Sequence, residues 1–264
     1  MWVTADNGRC VEVKDGGRGI PLLLVHGFPL SSETFSDMRP LVERVGRVVA
    51  LDLPGFGSSD APESGYTMDE LAAEVIRVAD HLGLERFALG GHSMGGYVAL
   101  RVAAHHRDRL TGLVLIDTRA AADSPEAAAK RHAAAAAIRG GGREAYLDSF
   151  MPLLIGPTAS RRDPDLPARL RSMADAVRDH VLAGCLEGMA ARPDSRGLLI
   201  GLDLPALVVV GAEDELTPVT EARELSEALP RGRLQVIAEA GHTSPLECPE
   251  VFGEAVAVFL RELD

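Results

Sequence analysis

The chain has 264 residues, 46% hydrophobic and 25% charged, which is enough for one sizeable α/β domain with an insertion or for two small domains. Its 39 acidic and 27 basic residues give a formal net charge of −12, which disfavours a nucleic-acid partner or an anionic membrane surface. The first residues lack the basic-then-apolar pattern of a secretion signal, and no apolar run approaches a membrane span, so we expect a cytoplasmic protein that does not bind membranes.

The chain begins with the pattern of a short hairpin, residues 2–5 and 10–14, joined at Asn7-Gly8. Apolar runs without alternation, typical of strands buried on both faces of a parallel sheet, then recur. They lie at Ile20–Val25, Val48–Leu51, Phe87–Leu89, Leu113–Ile116, Leu204–Val210 and Leu234–Ile237.

Helix signals separate these strands. Thr67 and Glu70 fit a capping box that opens a helix, and Gly83 is a suitable stop for it. A further helix is predicted to begin at Thr217, as N-cap, with Pro218 in its first turn. Pro249 opens a terminal amphipathic helix. Strands alternating with helices predict a mostly parallel sheet covered on both faces.

Residues 119–202 have a different character, because strand-like runs vanish and several Gly and Pro residues divide the segment into short helices. We interpret the segment as a helical cap inserted between two strands. The predicted core therefore comprises residues 1–118 and 203–264, and the cap residues 119–202.

The most informative stretch is Gly91-His-Ser-Met-Gly95, which follows an apolar strand and precedes a helix. A nucleophilic serine must stand exposed at a sharp strand-to-helix turn, and Gly91 and Gly95 lie where a Cβ would collide as the backbone folds back. The helix N-terminus behind Ser93 adds N–H groups and a positive dipole end, which suit a developing oxyanion.

Two partners for Ser93 come from later loops. Asp214 lies in the turn after one strand and His242 in the loop after the next. Because the carboxyl ends of parallel strands share one edge of a sheet, the three side chains are expected to meet there. A serine hydroxyl needs a base to take its proton, and the base needs an acid to fix its tautomer. The order Ser, Asp, His is that of the α/β-hydrolase arrangement.

With these residues in view, the chain resembles a cap-bearing α/β-hydrolase over nearly its whole length. The matching motifs are His26-Gly-Phe-Pro29, Asp52-Leu-Pro-Gly-Phe-Gly-Ser58, Gly91-His-Ser-Met-Gly95, Gly211-Ala-Glu-Asp214 with Thr217-Pro218, and Gly241-His242. Within that superfamily it is similar to bacterial carboxylesterases and to 3-oxoadipate enol-lactonase-like proteins. The resemblance implies an eight-stranded sheet, a cap after the sixth strand, and an oxyanion hole made by the N–H groups of Phe28 and Met94.

Alternatives exist for some of these residues. Asp117, also at a strand end, is a rival to Asp214, because some members of the fold place the acid there. Among the histidines, His26 is interpreted as a brace for the oxyanion loop, and His92 should point away from the substrate. Cap arginines such as Arg131, Arg161 or Arg192 are candidates to pair with a substrate carboxylate.

No cofactor is expected. No residue cluster has metal-ligand spacing, no phosphate-binding glycine loop follows a strand, and the three cysteines are far apart, which also disfavours a disulfide framework. A serine at the elbow, instead of an aspartate, argues against the epoxide-hydrolase and haloalkane-dehalogenase branches.

The sequence therefore predicts a serine hydrolase acting on a small to medium carboxylic ester, a carboxylesterase that is a monomer or homodimer. Alternatives are a lactone hydrolase of the 3-oxoadipate enol-lactonase type, a perhydrolase in which hydrogen peroxide replaces water, and a non-enzymatic ligand receptor on the same scaffold.

Overall fold

A computed structural model describes residues 1–4 and 8–263 of the chain. Within this part, eight strands form one sheet in the order β1-β2-β4-β3-β5-β6-β7-β8. The strands are β1 (Trp2–Thr4), β2 (Cys10–Gly17), β3 (Pro21–Val25), β4 (Arg47–Leu51), β5 (Phe87–His92), β6 (Leu110–Ile116), β7 (Ala206–Gly211) and β8 (Gly232–Ile237). Strands β1 and β2 pair antiparallel, β2 and β4 likewise, and the remaining pairs are parallel.

Helices connect the strands and cover both faces of the sheet. Those of the sheet domain are α1 (Arg39–Val42), α2 (Met68–His81), α3 (Met94–His105), α10 (Val219–Ala228), α11 (Ser244–Glu247) and α12 (Pro249–Arg261). Between β6 and β7 lie α4 (Pro125–Ala137), α5 (Arg143–Phe150), α6 (Pro157–Arg162), α7 (Leu166–Asp175), α8 (Asp179–Ala190) and α9 (Arg196–Leu199). We call this segment between β6 and β7 the helical insertion. No helix among the described residues is long and apolar enough to cross a membrane.

The buried strands point their side chains alternately into two cores, as the pleat requires. Leu23 and Val25 of β3 pack into the core beneath α2, α3 and α10, whereas Leu22 and Leu24 pack into the core beneath α1 and α12. A third apolar cluster lies mainly in the helical insertion, but it includes Leu30 and Leu246 of the sheet domain. The predicted α/β fold with helices on both faces is confirmed.

Local signals placed most elements correctly. Thr67 and Glu70 form the predicted capping box of α2, and Gly83 has a φ of +66°, which a helix-terminating glycine adopts readily. Gly141, with a φ of +89°, interrupts the helical path between α4 and α5. The N-terminal hairpin pairs β1 with β2, and the Asn7 part of its predicted turn lies outside the described residues.

Candidate active site

Ser93 stands at a sharp turn between β5 and α3. Its φ of 50° and ψ of −111° lie outside the regions that a non-glycine residue normally adopts. A Cβ on Gly91 would lie 2.2 Å from the carbonyl oxygen of Gly95, and a Cβ on Gly95 would lie 2.2 Å from that of Val25. Both positions therefore require glycine, as the sequence indicated on steric grounds.

The structure brings together the three side chains predicted to meet at the sheet edge. The Oγ of Ser93 lies 2.8 Å from Nε2 of His242, and Nδ1 of His242 lies 2.8 Å from Oδ2 of Asp214. Since a carboxylate only accepts, Nδ1 carries the proton and Nε2 is free to accept from the serine hydroxyl. His242 is 1% exposed and Asp214 6%, so this relay is shielded from bulk water.

Asp214 is held as a carboxylate by several donors. Its Oδ1 accepts from the N–H groups of Leu216 and Thr217 at 2.8 and 2.9 Å, and its Oδ2 from the hydroxyl of Thr217 at 2.6 Å. Burial alone would raise the pKa of Asp214, but the charge of His242 and the hydrogen bonds from His242 and Thr217 outweigh it and lower the pKa.

The prediction that Thr217 is the N-cap of the following helix was wrong. The N-cap of α10 is Pro218, and the Thr217 side chain turns inward to Asp214. The hydroxyl contributes more to the stability of the fold by donating to a buried carboxylate than it would by capping a solvated helix end. The reason is that hydrogen bonds to charged groups are stronger than those between neutral groups.

The rival acid, Asp117, does not contact the imidazole of His242. Its Oδ1 accepts from the N–H of Gly211 at 2.9 Å, and its Oδ2 from the hydroxyl and N–H of Ser244 at 2.7 and 3.1 Å. Complete burial, followed by the nearby charge of Asp214, raises the pKa of Asp117 well above its usual value. Asp117 thus links the end of β7 to the start of α11 and lies outside the Ser93–His242–Asp214 relay.

The resemblance assigns two backbone amides to an oxyanion hole, and they lie just after the ends of two neighbouring strands. Phe28 follows β3, and Met94 follows Ser93 at the end of the adjacent β5. A Cβ on Gly27 would lie 3.1 Å from the Cβ of Ser93, which puts the Phe28 loop directly beside the elbow. Among the described residues, neither the Phe28 nor the Met94 N–H donates to an acceptor of the protein.

The Phe28 loop is braced from below by His26. Its Nδ1 donates to the carbonyl of Gly27 at 2.9 Å, and its Nε2 accepts from the N–H of Leu53 at 3.0 Å. Complete burial lowers the pKa of His26, so the neutral ring that these two bonds require is the favoured form. These contacts match the predicted bracing role.

The buried ring of His92 lies 5.4 Å from that of His242, and it has a partner that the sequence did not reveal. Its Nε2 donates to the carbonyl oxygen of His242 at 2.6 Å. Burial, and then the nearby His242, lower the pKa of His92 to about 3, so the ring is neutral beneath the His242 loop.

The insertion arginines proposed as partners for a substrate carboxylate already have partners. Arg131 and Arg192 both pair with Asp123, at 2.6 and 2.7 Å. Arg161 lies exposed on α6 and donates to the hydroxyl of Thr158. The structure thus assigns all three to contacts within the insertion, because each finds its acceptor near in sequence or on an adjacent helix.

Aromatic residues of α5 pack against the oxyanion-loop residue. The ring of Phe28 lies 5.9 Å from that of Phe150 and 6.4 Å from that of Tyr146, and the last two are stacked 5.5 Å apart. The helical insertion therefore covers the Phe28 loop beside Ser93 with an apolar surface.

Sequence reasoning missed one further residue at this site. Glu247, 3% exposed, accepts hydrogen bonds from the backbone on both sides of His242. The only signal for it was an acidic residue within the apolar and proline-rich run Pro245-Leu-Glu-Cys-Pro249. Helix α11 is too short to show a periodicity that would mark Glu247 as buried.

Comparison with known proteins adds to this geometry. A family model described as the alpha/beta hydrolase fold matches residues 20–249. The chain is similar to a thermophilic esterase from Thermogutta terrifontis, solved with malate bound, with 38% identity, a TM-score of 0.95, and coverage of 100% of this chain and 99% of that one. It is also similar to the enol-lactonase from Burkholderia xenovorans LB400, with 26% identity, a TM-score of 0.90, and coverage of 99% and 100%.

A curated relative is longer than this chain. The dihydrolipoyllysine-residue acetyltransferase component of the acetoin cleaving system of Pseudomonas putida is 33% identical over 247 residues. The match covers 94% of this chain but only 65% of that relative's length.

Proposed function

The chain is a hydrolase that belongs to the alpha/beta hydrolase fold family, and we propose that it cleaves a small to medium carboxylic ester through an acyl-enzyme on Ser93. The observation that carries this proposal is the continuous relay from the Ser93 hydroxyl through both nitrogens of His242 to Asp214, with 2.8 Å at each imidazole contact. That arrangement activates an otherwise weak nucleophile.

In the proposed mechanism, Oγ of Ser93 attacks the ester carbonyl carbon while Nε2 of His242 takes the hydroxyl proton. The N–H groups of Phe28 and Met94 hold the oxyanion of the tetrahedral intermediate. The intermediate collapses as His242 returns the proton to the departing alkoxide, which leaves as an alcohol. A water then loses a proton to His242 and attacks the acyl carbon. As the bond between this carbon and Oγ of Ser93 breaks, His242 returns the proton to Oγ, and the acid is released.

We also propose that residues 119–202 act as a cap over Ser93, with residues 1–118 and 203–264 as the catalytic core. Two contacts support this role. Phe150 and Tyr146 of α5 pack on Phe28 beside the elbow, and the carbonyl of Leu154 accepts from the hydroxyl of Thr243, next to His242. A cap in this position limits the volume open to the acyl group and excludes water.

An uncharged acyl group is the better fit for this site. Arg131 and Arg192 both pair with Asp123 within the insertion, and the surface over the oxyanion loop is aromatic. At that aromatic surface a substrate carboxylate would lose water without gaining a charged partner, which costs several kcal/mol. An uncharged lactone is the second candidate, favoured by the likeness to the enol-lactonase structure.

The test compares p-nitrophenyl butyrate with a p-nitrophenyl monoester of glutaric acid, of similar length but carrying a free carboxylate. We expect the neutral ester to be cleaved with at least about tenfold higher kcat/KM, and Ser93→Ala to lose turnover of both. Wild-type rates in Ser93→Ala would refute the mechanism. Equal rates for the two esters would refute the assignment of an uncharged acyl group.

A further inference from the structure

The loop that carries His242 is fixed on both sides by one buried carboxylate. Oε2 of Glu247 accepts from the N–H of Gly241 at 2.8 Å, and Oε1 accepts from the N–H of Thr243 at 2.9 Å. The carbonyl of His242 itself accepts from His92. The backbone is thus held at three consecutive residues, 241–243, which fixes the position from which the ring of His242 extends.

The same carboxylate also contacts the helical insertion. Oε2 of Glu247 accepts from the N–H of Gly156 at 2.8 Å, across 91 positions of sequence. Gly156 lies against the His242 loop with no room for a side chain, because a Cβ on it would lie 2.8 Å from the N atom of Gly241. A Cβ on Gly241 would in turn lie 2.3 Å from the N atom of Gly156.

Charge is essential to this arrangement. A buried carboxylate is costly unless several donors satisfy it, and three backbone N–H groups do so here. A glutamine at Glu247 would keep the shape but replace one acceptor oxygen by an NH₂ group. Placed at Oε1, the NH₂ group would face the N–H of Thr243, and placed at Oε2 it would face those of Gly156 and Gly241. Because two donors cannot bond to each other, one or two of the three hydrogen bonds would be lost.

We propose that Glu247 is a positioning residue that aligns the His242 imidazole with Ser93 and Asp214 and makes this alignment depend on docking of the insertion at Gly156. This inference rests on the proposed hydrolase mechanism and deepens it. The insertion then has a second role besides covering the substrate, because its displacement at Gly156 loosens the base.

The first test is Glu247→Gln, with Glu250→Gln as control, since Glu250 is an exposed acid three residues away on α12. For Glu247→Gln we expect kcat for p-nitrophenyl butyrate to fall about 10- to 100-fold with little change in KM, as a displaced catalytic group would cause. Labelling of Ser93 by a fluorophosphonate should slow by a similar factor. Glu250→Gln should retain wild-type rates.

A spectroscopic measurement separates positioning from general stability. We expect the proton between His242 Nδ1 and Asp214, whose heavy atoms are 2.8 Å apart, to give a low-field NMR signal that can be recorded without substrate. We expect this signal to broaden or vanish in Glu247→Gln while circular dichroism remains that of the folded protein.

The second variant, Gly156→Ala, approaches the same contact from the insertion. Gly156 has a φ of −67° and a ψ of 148°, which alanine adopts freely, so the substitution acts through steric contacts alone. Its Cβ would lie 2.8 Å from the N atom of Gly241 and 2.6 Å from Oε2 at the flexible end of Glu213. Its control is Gly140→Ala, also in the insertion, where a Cβ would meet nothing within 4 Å. We expect Gly156→Ala to lower kcat and weaken the low-field signal, and Gly140→Ala to do neither.

A folded Glu247→Gln with wild-type kcat and an unchanged low-field signal would overturn the positioning role, and wild-type behaviour of Gly156→Ala would overturn the coupling to the insertion. Should Glu247→Gln fail to fold, wild-type kcat and an unchanged low-field signal in Gly156→Ala would still overturn the proposal, because the alignment would then not depend on the contact between Glu247 and Gly156. A wild-type protein without ester turnover or Ser93 labelling would instead refute the proposed function, and the low-field signal would still report on Glu247.

Discussion

Replacing Asp214 by Asn should remove most of the activity, and the structure indicates why. The N–H groups of Leu216 and Thr217 both point at Oδ1, so the amide oxygen of an asparagine must take that position. Its NH₂ group then faces Nδ1 of His242, which has to become an acceptor. The proton moves to Nε2, and the ring can no longer accept the hydroxyl proton of Ser93.

The expected loss in kcat for Asp214→Asn is about 10⁴-fold, or about 5 kcal/mol of barrier. Asp117→Asn tests the rival acid, and we expect a much smaller loss, because Asp117 contacts Gly211 and Ser244 and not the imidazole of His242. Steady-state turnover of p-nitrophenyl butyrate by both variants, with circular dichroism to verify folding, makes the comparison. This reasoning would be refuted if kcat fell as much in Asp117→Asn as in Asp214→Asn. It would also be refuted if kcat of Asp214→Asn stayed within about tenfold of the wild-type value.

Three further changes probe the supports of the site. Thr217→Val removes the hydroxyl that donates to Asp214 at 2.6 Å. Because hydrogen bonds to charged groups contribute about 1.5–3 kcal/mol, kcat should fall about 10- to 100-fold in steady-state assays. An unchanged kcat would contradict this role of Thr217. Gly95→Ala places a Cβ 2.2 Å from the carbonyl of Val25, so its melting temperature should drop sharply, and a wild-type value would count against the elbow geometry. Burial lowers the pKa of His92 to about 3, whereas a histidine in an unfolded chain has a pKa of about 6.5. Between these two values the unfolded state binds a proton that the folded state does not. Stability therefore falls as the pH drops from about 6.5 towards 3. Between pH 7.5 and 4.5 this linkage lowers the free energy of unfolding by about 3 kcal/mol. Urea unfolding at the two pH values should show this loss in the wild type and not in His92→Gln. Equal losses in both proteins would exclude His92 as the source.

Local chemistry explains what could be predicted from sequence. The elbow was predictable because Gly91 and Gly95 are required by contacts within a few residues of Ser93 and with the adjacent strand. The buried strands were recognisable because unbroken apolar runs have few other uses in a chain of this composition. Their ends differed from expectation by a few residues, as in β7, which begins at Ala206 and includes Gly211.

Long-range pairing explains what could not be predicted. Thr217 has the residue type of an N-cap, and only the fold reveals that a buried carboxylate lies within its reach. Arg131 and Arg192 looked available for a substrate because periodicity does not show that Asp123 lies between them. Glu247 binds Gly156 across 91 positions, a contact that no local pattern encodes.

The central claim is that Ser93, activated by His242, carries the acyl group. Its most direct test is peptide mapping by mass spectrometry after the protein reacts with a fluorophosphonate, compared with the His242→Ala variant. The account predicts one adduct, on the peptide containing Ser93, formed far more slowly in the variant. An adduct on another residue, or labelling of Ser93 at the same rate without His242, would contradict it.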